Sequence, residues 1–164
     1  MVEPQIVVLD VAGSSPVGHP IFALMQPTLA ETDAQIAACF STFVELRPHL
    51  TAETFLTRVK RQQEQGYRLA FLEDEGQCVS CAGFRILEML AWGKFLYVDD
   101  LITRATARSR GFGGEMLRWL IDFARREGCD EFHLDSGTQR TGAHRFYFKH
   151  GLLVKTFHFS MPLK

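Results

Sequence analysis

The residues best equipped for chemistry cluster at Arg108–Gly114, which reads Arg-Ser-Arg-Gly-Phe-Gly-Gly. A helical pattern begins at once after these glycines, so several backbone N–H groups converge there with the positive end of the helix dipole. Gly111 and Gly113 let the backbone approach phosphate oxygens without a Cβ in the way, and Arg104, Arg108 and Arg110 add positive charge around the opening. The turn reads as an anion cradle; the plainer alternative is a solvated turn carrying surface arginines. Its spacing disfavours two nucleotide loops. A phosphate-binding P-loop needs a Lys after its last glycine, and none follows; a dinucleotide loop needs GxGxxG, and this turn is GxGG.

Two carboxylates, Asp99 and Asp100, precede the cradle in the segment Tyr-Val-Asp-Asp-Leu-Ile-Thr. Strand alternation sends them to opposite faces, so at most one enters a cleft, where it could accept a proton or attract a cation; otherwise it is solvated. Downstream, Tyr147 stands one turn before the end of a helical segment with Phe146 beside it, and on residue type alone it reads as a half-buried core tyrosine. Cys78 and Cys81 form a CxxC, but an odd spacing on a regular strand parts the thiols and no second CxxC exists, so packing is expected rather than a metal or redox role. His133, His144, His150 and His158, with His19 and His49, show no metal-binding arrangement. Glu31, Asp33, Glu45, Glu53 and Glu64 could draw a cation, though carboxylates on helix surfaces usually face solvent.

Positioning these groups takes a specific series of elements. Ile21 to Leu29 reads as a strand, after which Thr32 or Asp33 caps a helix with Ile36, Phe40, Phe43 and Val44 at helical spacing, ended by Pro48. Thr51 opens a second helix to about Gln65, whose thin apolar stripe of Phe55, Leu56 and Val59 suits a helix lying over a cleft. Tyr67–Glu73 and Cys78–Leu87 form an antiparallel hairpin through Asp74, Glu75, Gly76 and Gln77, and Lys94–Thr103 is the strand that feeds the basic loop. Phe112 to Gly128 is the clearest helix, with Leu117, Leu120, Ile121 and Ala124 on one stripe and Asp122 placed to pair with Arg126. A strand at Glu131–Ser136, a helix at Thr141–His150 closed by Gly151, and a last strand at Leu152–Met161 complete an α/β (α+β) fold with a mixed sheet.

Composition bounds the rest. At 164 residues the chain is one domain by length, with 46% hydrophobic and 23% charged residues, as ordinary globular proteins have. Its 14 phenylalanines belong mostly to the core and also suit a narrow apolar tunnel. A formal net charge of -1 supplies no global field for nucleic acid. No apolar run is long enough to span a membrane, and four scattered cysteines fit a reducing cytoplasm. Residues 1–20 read as an N-terminal extension punctuated by Gly and Pro.

Arg108, Gly111 and Gly113 occupy the fixed places of the R/Q-x-x-G-x-G/A signature of the GNAT superfamily of acyl-CoA N-acyltransferases. The segment Ala143–Leu152, Ala-His-Arg-Phe-Tyr-Phe-Lys-His-Gly-Leu, resembles that family's A-x-x-x-Y-x-x-x-G-F segment. The likeness spans Ile21 to the C-terminus, residues 21–164, and is strongest from Leu96 to Leu152. It implies a central mixed antiparallel and parallel sheet flanked by about four helices. It further implies acetyl-CoA as cosubstrate without a metal, and direct acetyl transfer to a primary amine, on a small molecule or a protein, in a ternary complex. By this resemblance Arg108, Ser109, Arg110, Gly111, Phe112, Gly113 and Gly114 hold the pyrophosphate. Leu101 and Thr103 pair with the pantetheine amides, and the Ile102 N–H polarises the thioester carbonyl. Tyr147 protonates the departing thiolate, and Asp99, directly or through a water suited to its short side chain, is the base. Three departures stand out: Arg140 where Asn is common, which removes an amide contact or adds a guanidinium near the phosphates; Leu152 for Phe; and Thr103 for Val. Relatives are often dimers, and residues 1–20 could form an exchanged edge. A catalytically silent acyl-CoA-binding module of the same fold is the alternative.

Overall fold

The computed structural model describes residues 26–163. The expected extension at 1–20, and the part of the first expected strand before residue 26, lie outside the described residues. β1 (Thr28–Leu29) is followed by α1 (Asp33–Phe43), α2 (Ala52–Gln63), β2 (Arg68–Asp74), β3 (Gln77–Met89) and β4 (Gly93–Thr103). A short 3-10 turn at Ala105–Ala107 then leads to α3 (Phe112–Arg126), β5 (Glu131–Leu134) and α4 (Thr141–Lys149). The strands lie in the order β1-β2-β3-β4-β5, antiparallel through β4 and parallel between β4 and β5. This is the expected mixed sheet with four α-helices.

Local sequence explains the boundaries. Thr32 and Gln35 close a reciprocal capping box on α1, the Gln35 N–H donating to Thr32 Oγ1 at 3.2 Å and the Thr32 N–H to Gln35 Oε1 at 3.0 Å. Thr51 and Thr54 do the same for α2. The β2–β3 hairpin turns through Glu75 and Gly76 with φ of 51° and 73°, the left-handed pair that a two-residue turn needs to match strand twist. On one face of the sheet α1 and α2 bury Ile36, Cys39, Phe43, Phe55 and Val59 against Leu69, Phe71, Cys78 and Cys81. On the other, α3 buries Met116, Leu120, Phe123 and Ala124 against Ala82, Phe84, Leu96 and Val98.

Two expectations about pairing fail. Asp122 pairs with Arg125, three residues on, at 2.7 Å, while Arg126 lies over the Phe123 ring. The segment Leu152–Met161 forms no strand. Beyond Gly151, which turns the chain at φ 83°, Val154 is 72%, Phe157 83% and Phe159 90% exposed. Alternating residues make a strand only when one face is covered, and among the described residues no apolar surface covers these side chains. Lys155 and His158 reach back to Glu131 and Asp135 as surface ion pairs.

Candidate active site

β4 and β5 part company midway. Their parallel pairing runs from Phe95 with Glu131 to Val98 with Leu134 and goes no further. From Asp99 to Thr103, β4 is therefore laddered to β3 on one side only, with Gly83 opposite Asp100, Ala82 opposite Leu101 and Ser80 opposite Thr103. The other backbone edge opens into a wedge, and Leu101, Ile102 and Thr103 line it. Beyond the pairing, Ser136 Oγ is the one buried side-chain oxygen among the described residues that lacks a partner.

The wedge leads to the cradle. Gly111 caps α3 at φ 94° and no side chain caps the helix, so its first N–H groups remain available to an anion. Ser109 is also left-handed, at φ 63°. A Cβ on Gly113 would lie 3.1 Å from Thr103 Oγ1 and 3.7 Å from the Phe146 ring, and one on Gly114 would lie 3.1 Å from His150 Nε2. Glycine is what lets α3 settle onto the end of β4 and onto α4, with Phe146, the neighbour of Tyr147, against Gly113. Phe112 lies under the Arg110 guanidinium at 4.9 Å.

The arginines differ in their engagements. Arg108 is exposed, and its Nε donates to the Thr103 carbonyl at 3.3 Å. Arg110 is drawn to Asp74 at 2.7 Å, and Arg104 donates to Gln77 and Ser41. Arg140 begins α4 and lies near enough to Tyr147 to act on its ionisation. Burial raises the Tyr147 phenol above its ordinary range and outweighs the lowering by Arg140, so the group is a neutral O–H donor at pH 7.

Strand alternation misplaces the two carboxylates, because β4 is bulged. Gly83 pairs with Asp100 and Phe84 with Val98, leaving Asp99 without a partner in β3. As a result both carboxylates act on buried Tyr67, whose phenol is raised by burial first and then by Asp100 and Asp99. Arg85 donates to Asp99 at 2.7 Å and lies over the Tyr67 ring at 5.4 Å. Burial nonetheless raises the Asp99 carboxyl above its usual range, against the lowering by Arg85. Asp100 pairs with Arg47 at 2.7 Å.

Asp100, Tyr67, Arg47, His49 and Arg58 line a cleft of ≈ 260 Å³ under α2, roofed by Phe55 and Val59 as the thin stripe of that helix implied. Residue types and spacing did not single out Tyr67, Arg47 or Arg58. One signal was available: a Cβ on Gly83 would lie 1.8 Å from Tyr67 Oη, and a glycine inside a strand often marks such a close approach. None of Glu31, Asp33, Glu45, Glu53 and Glu64 lines the cleft; Asp33 is paired with Lys60, and Glu45 accepts from the Ala105 N–H at 2.8 Å.

A second bulge corrects the reading of the CxxC. Ser80 pairs with Leu72 and Cys78 with Glu73, so Val79 has no partner in β2. The extra residue restores parity, and Cys78 and Cys81 face the same side, their sulfurs 3.1 Å apart. Cys39 of α1 joins them. Hydrogen bonds from Cys39 and Cys81 hold the Cys78 thiol low, at about 4, and burial pushes Cys81 up.

Residues 32–152 match the acetyltransferase (GNAT) family. The uncharacterized N-acetyltransferase YhdJ of Bacillus subtilis is 33% identical over 129 residues, covering 77% of this chain and 91% of its own length. Glucosamine 6-phosphate N-acetyltransferase 1 of rice, Oryza sativa, is 30% identical over 114 residues, covering 66% and 67%. An acetyltransferase of Trypanosoma brucei superposes with a TM-score of 0.69 at 19% identity, over 84% of this chain and 99% of that one. The family match and these relatives make the protein an acyltransferase. The chain belongs to the GNAT family of N-acetyltransferases. Among the described residues no helix is long and apolar enough to cross a membrane.

Proposed function

We propose that the chain transfers an acetyl group from acetyl-CoA to a primary amine by direct attack within a ternary complex. The observation that carries this reading is the wedge between β4 and β5, which ends at the uncapped N-terminus of α3. Pantetheine amides would pair with the free edge at Leu101–Thr103, where Ser136 Oγ still needs a partner, and the pyrophosphate would rest on Arg108–Gly114 with Arg140 nearby. The Ile102 N–H would polarise the thioester carbonyl. Asp99, through water, accepts the ammonium proton; the free amine attacks the carbonyl carbon; Tyr147 gives its proton to the departing sulfur. No step in this scheme calls for a metal.

The acceptor would enter from the cleft under α2. Arg58 forms no ion pair among the described residues, and with Arg47 it outweighs Asp100, the one carboxylate that lines the cleft. That charge favours an amine that also carries an anionic group, as the named substrate of the rice relative does. A protein amine flanked by acidic residues meets the same requirement. Free thiols at all four cysteines suit a reducing cytoplasm. A homodimer is also proposed, resting on the uncovered apolar segment after Gly151.

A panel of amines with and without phosphate or carboxylate groups, scored by thiol release and by product mass, tests the transfer and the acceptor class together. Saturating acetyl-CoA, at about 100 times its Kd, should stabilise the fold by about 2.7 kcal/mol. A second reading has a specific basis: Asp99 and Asp100 are both engaged by arginines, which suits a silent acyl-CoA-binding module. Stabilisation by acetyl-CoA without thiol release from any amine would establish that reading.

A further inference from the structure

We infer that Cys39, Cys78 and Cys81 form a three-sulfur site for a soft monovalent ion of the Cu(I) type, set behind the strand that carries Ile102. The three Sγ atoms come from two elements, α1 and β3, and all lie within 4.8 Å of one another. An ion held at roughly 2.3 Å from each of three sulfurs would space them about 4 Å apart, so Cys78 and Cys81, whose sulfurs stand 3.1 Å apart, would have to separate slightly on binding. All three residues are buried, at 0%, 4% and 0% exposure.

The geometry is built by an irregularity. On an unbroken strand the odd spacing would send Cys78 and Cys81 to opposite faces; the unpaired Val79 turns both toward α1. Thr42, one turn after Cys39 and also fully buried, donates to the Cys78 carbonyl at 2.7 Å and ties α1 to the bulge. Three small side chains filling a core would have no need to present their sulfurs to one another, and a disulfide would engage only two of them.

The donor set selects the ion. Structural zinc takes four ligands, and among the described residues no His, Asp or Glu joins the cluster. Three sulfurs in an apolar setting suit a soft ion that accepts low coordination. Thiols that ligate release their protons to solvent, and the resulting negative charge faces Arg104, which is anchored to Ser41 on α1 and to Gln77 on β3. Cys81 pairs directly with Ile102 across the ladder, and Ser80 Oγ donates to the Ile102 carbonyl at 3.0 Å. Occupancy would therefore be felt at the strand that lines the wedge.

The test uses the reduced full-length chain under argon, with Cu(I) supplied as its acetonitrile complex against a bathocuproine chelator. One Cu(I) per chain is expected, with near-ultraviolet thiolate-to-metal absorption and three sulfur neighbours by X-ray absorption. Cys39→Ala, Cys78→Ala and Cys81→Ala should each lose this uptake, while Cys129→Ala, in the turn between α3 and β5, keeps it. Melting curves identify any variant that fails to fold. For such a variant, alkylation of the wild-type thiols decides: bound Cu(I) should protect three of the four. Absence of uptake, uptake that follows Cys129, equal protection by Zn(II), or a Cys78–Cys81 disulfide formed in place of metal binding would each overturn the site. None of these readouts depends on acetyl transfer.

Discussion

A phenol raised by burial is protonated at pH 7, and that is the state the role proposed for Tyr147 requires. Tyr147→Phe should lower kcat by about 10²-fold or more while the KM for acetyl-CoA stays within a few-fold. Steady-state kinetics check this, and unchanged turnover would remove Tyr147 from the reaction. Asp99 carries a pH signature. Its carboxyl is raised in the fold, so the folded state binds the proton more tightly than the unfolded chain does. The stability this contributes is present below the ordinary carboxylate value and is lost as pH climbs through the raised one. Asp99→Asn should therefore keep the wild-type melting temperature at pH 7 while activity falls. In wild type the acid limb of kcat/KM should lie above the usual carboxylate range. A limb that persists in Asp99→Asn and vanishes in Asp100→Asn would move the base to the neighbouring carboxylate.

At the scale of elements, the junction of β4, α3 and α4 depends on two glycines for different reasons. Gly111 must be left-handed and has open space around it, so Gly111→Ala adds only strain, about 1–2 kcal/mol, seen as a lower melting temperature. Gly113 is right-handed but crowded, and Gly113→Val would push against Thr103 Oγ1, itself 3.2 Å from Ser80 Oγ. That variant should lose most of the melting-temperature rise that acetyl-CoA produces; an undiminished rise would remove the cradle. The caps at Thr32 and Thr51, the Glu75–Gly76 turn and the placing of α2 over a cleft were legible from the residues. Bulges were not. A period of two assumes one residue per rung, and a single unpaired residue, Val79 or Asp99, reverses the parity of everything beyond it. Both misplaced pairs, the two aspartates and the two cysteines, trace to that cause. The cleft under α2 was obscure for another reason: Tyr67, Arg58 and Asp100 line it from distant segments, and only Gly83 hinted at the approach.

For the whole molecule, the segment after Gly151 sets the outstanding energetic demand. Phe157, Phe159, Met161 and Leu163 alternate with His158, Ser160 and Pro162, and each of the four is at least 76% exposed. Among the described residues β5 ends the sheet, and its outer edge can accept a strand. A second copy can supply one, and reciprocal exchange of residues 152–163 satisfies both edges and both apolar faces by a single twofold operation. Light scattering should give the mass of two chains for the full-length protein and of one chain after truncation at Gly151, with β5 and α4 left more open to hydrogen exchange. If the segment instead folds onto its own β5, the full-length mass will be that of one chain and truncation will lower the melting temperature without changing the number of chains. The exchanged segment follows directly on α4, the helix that carries Tyr147, so loss of the dimer should also depress kcat in the truncated protein.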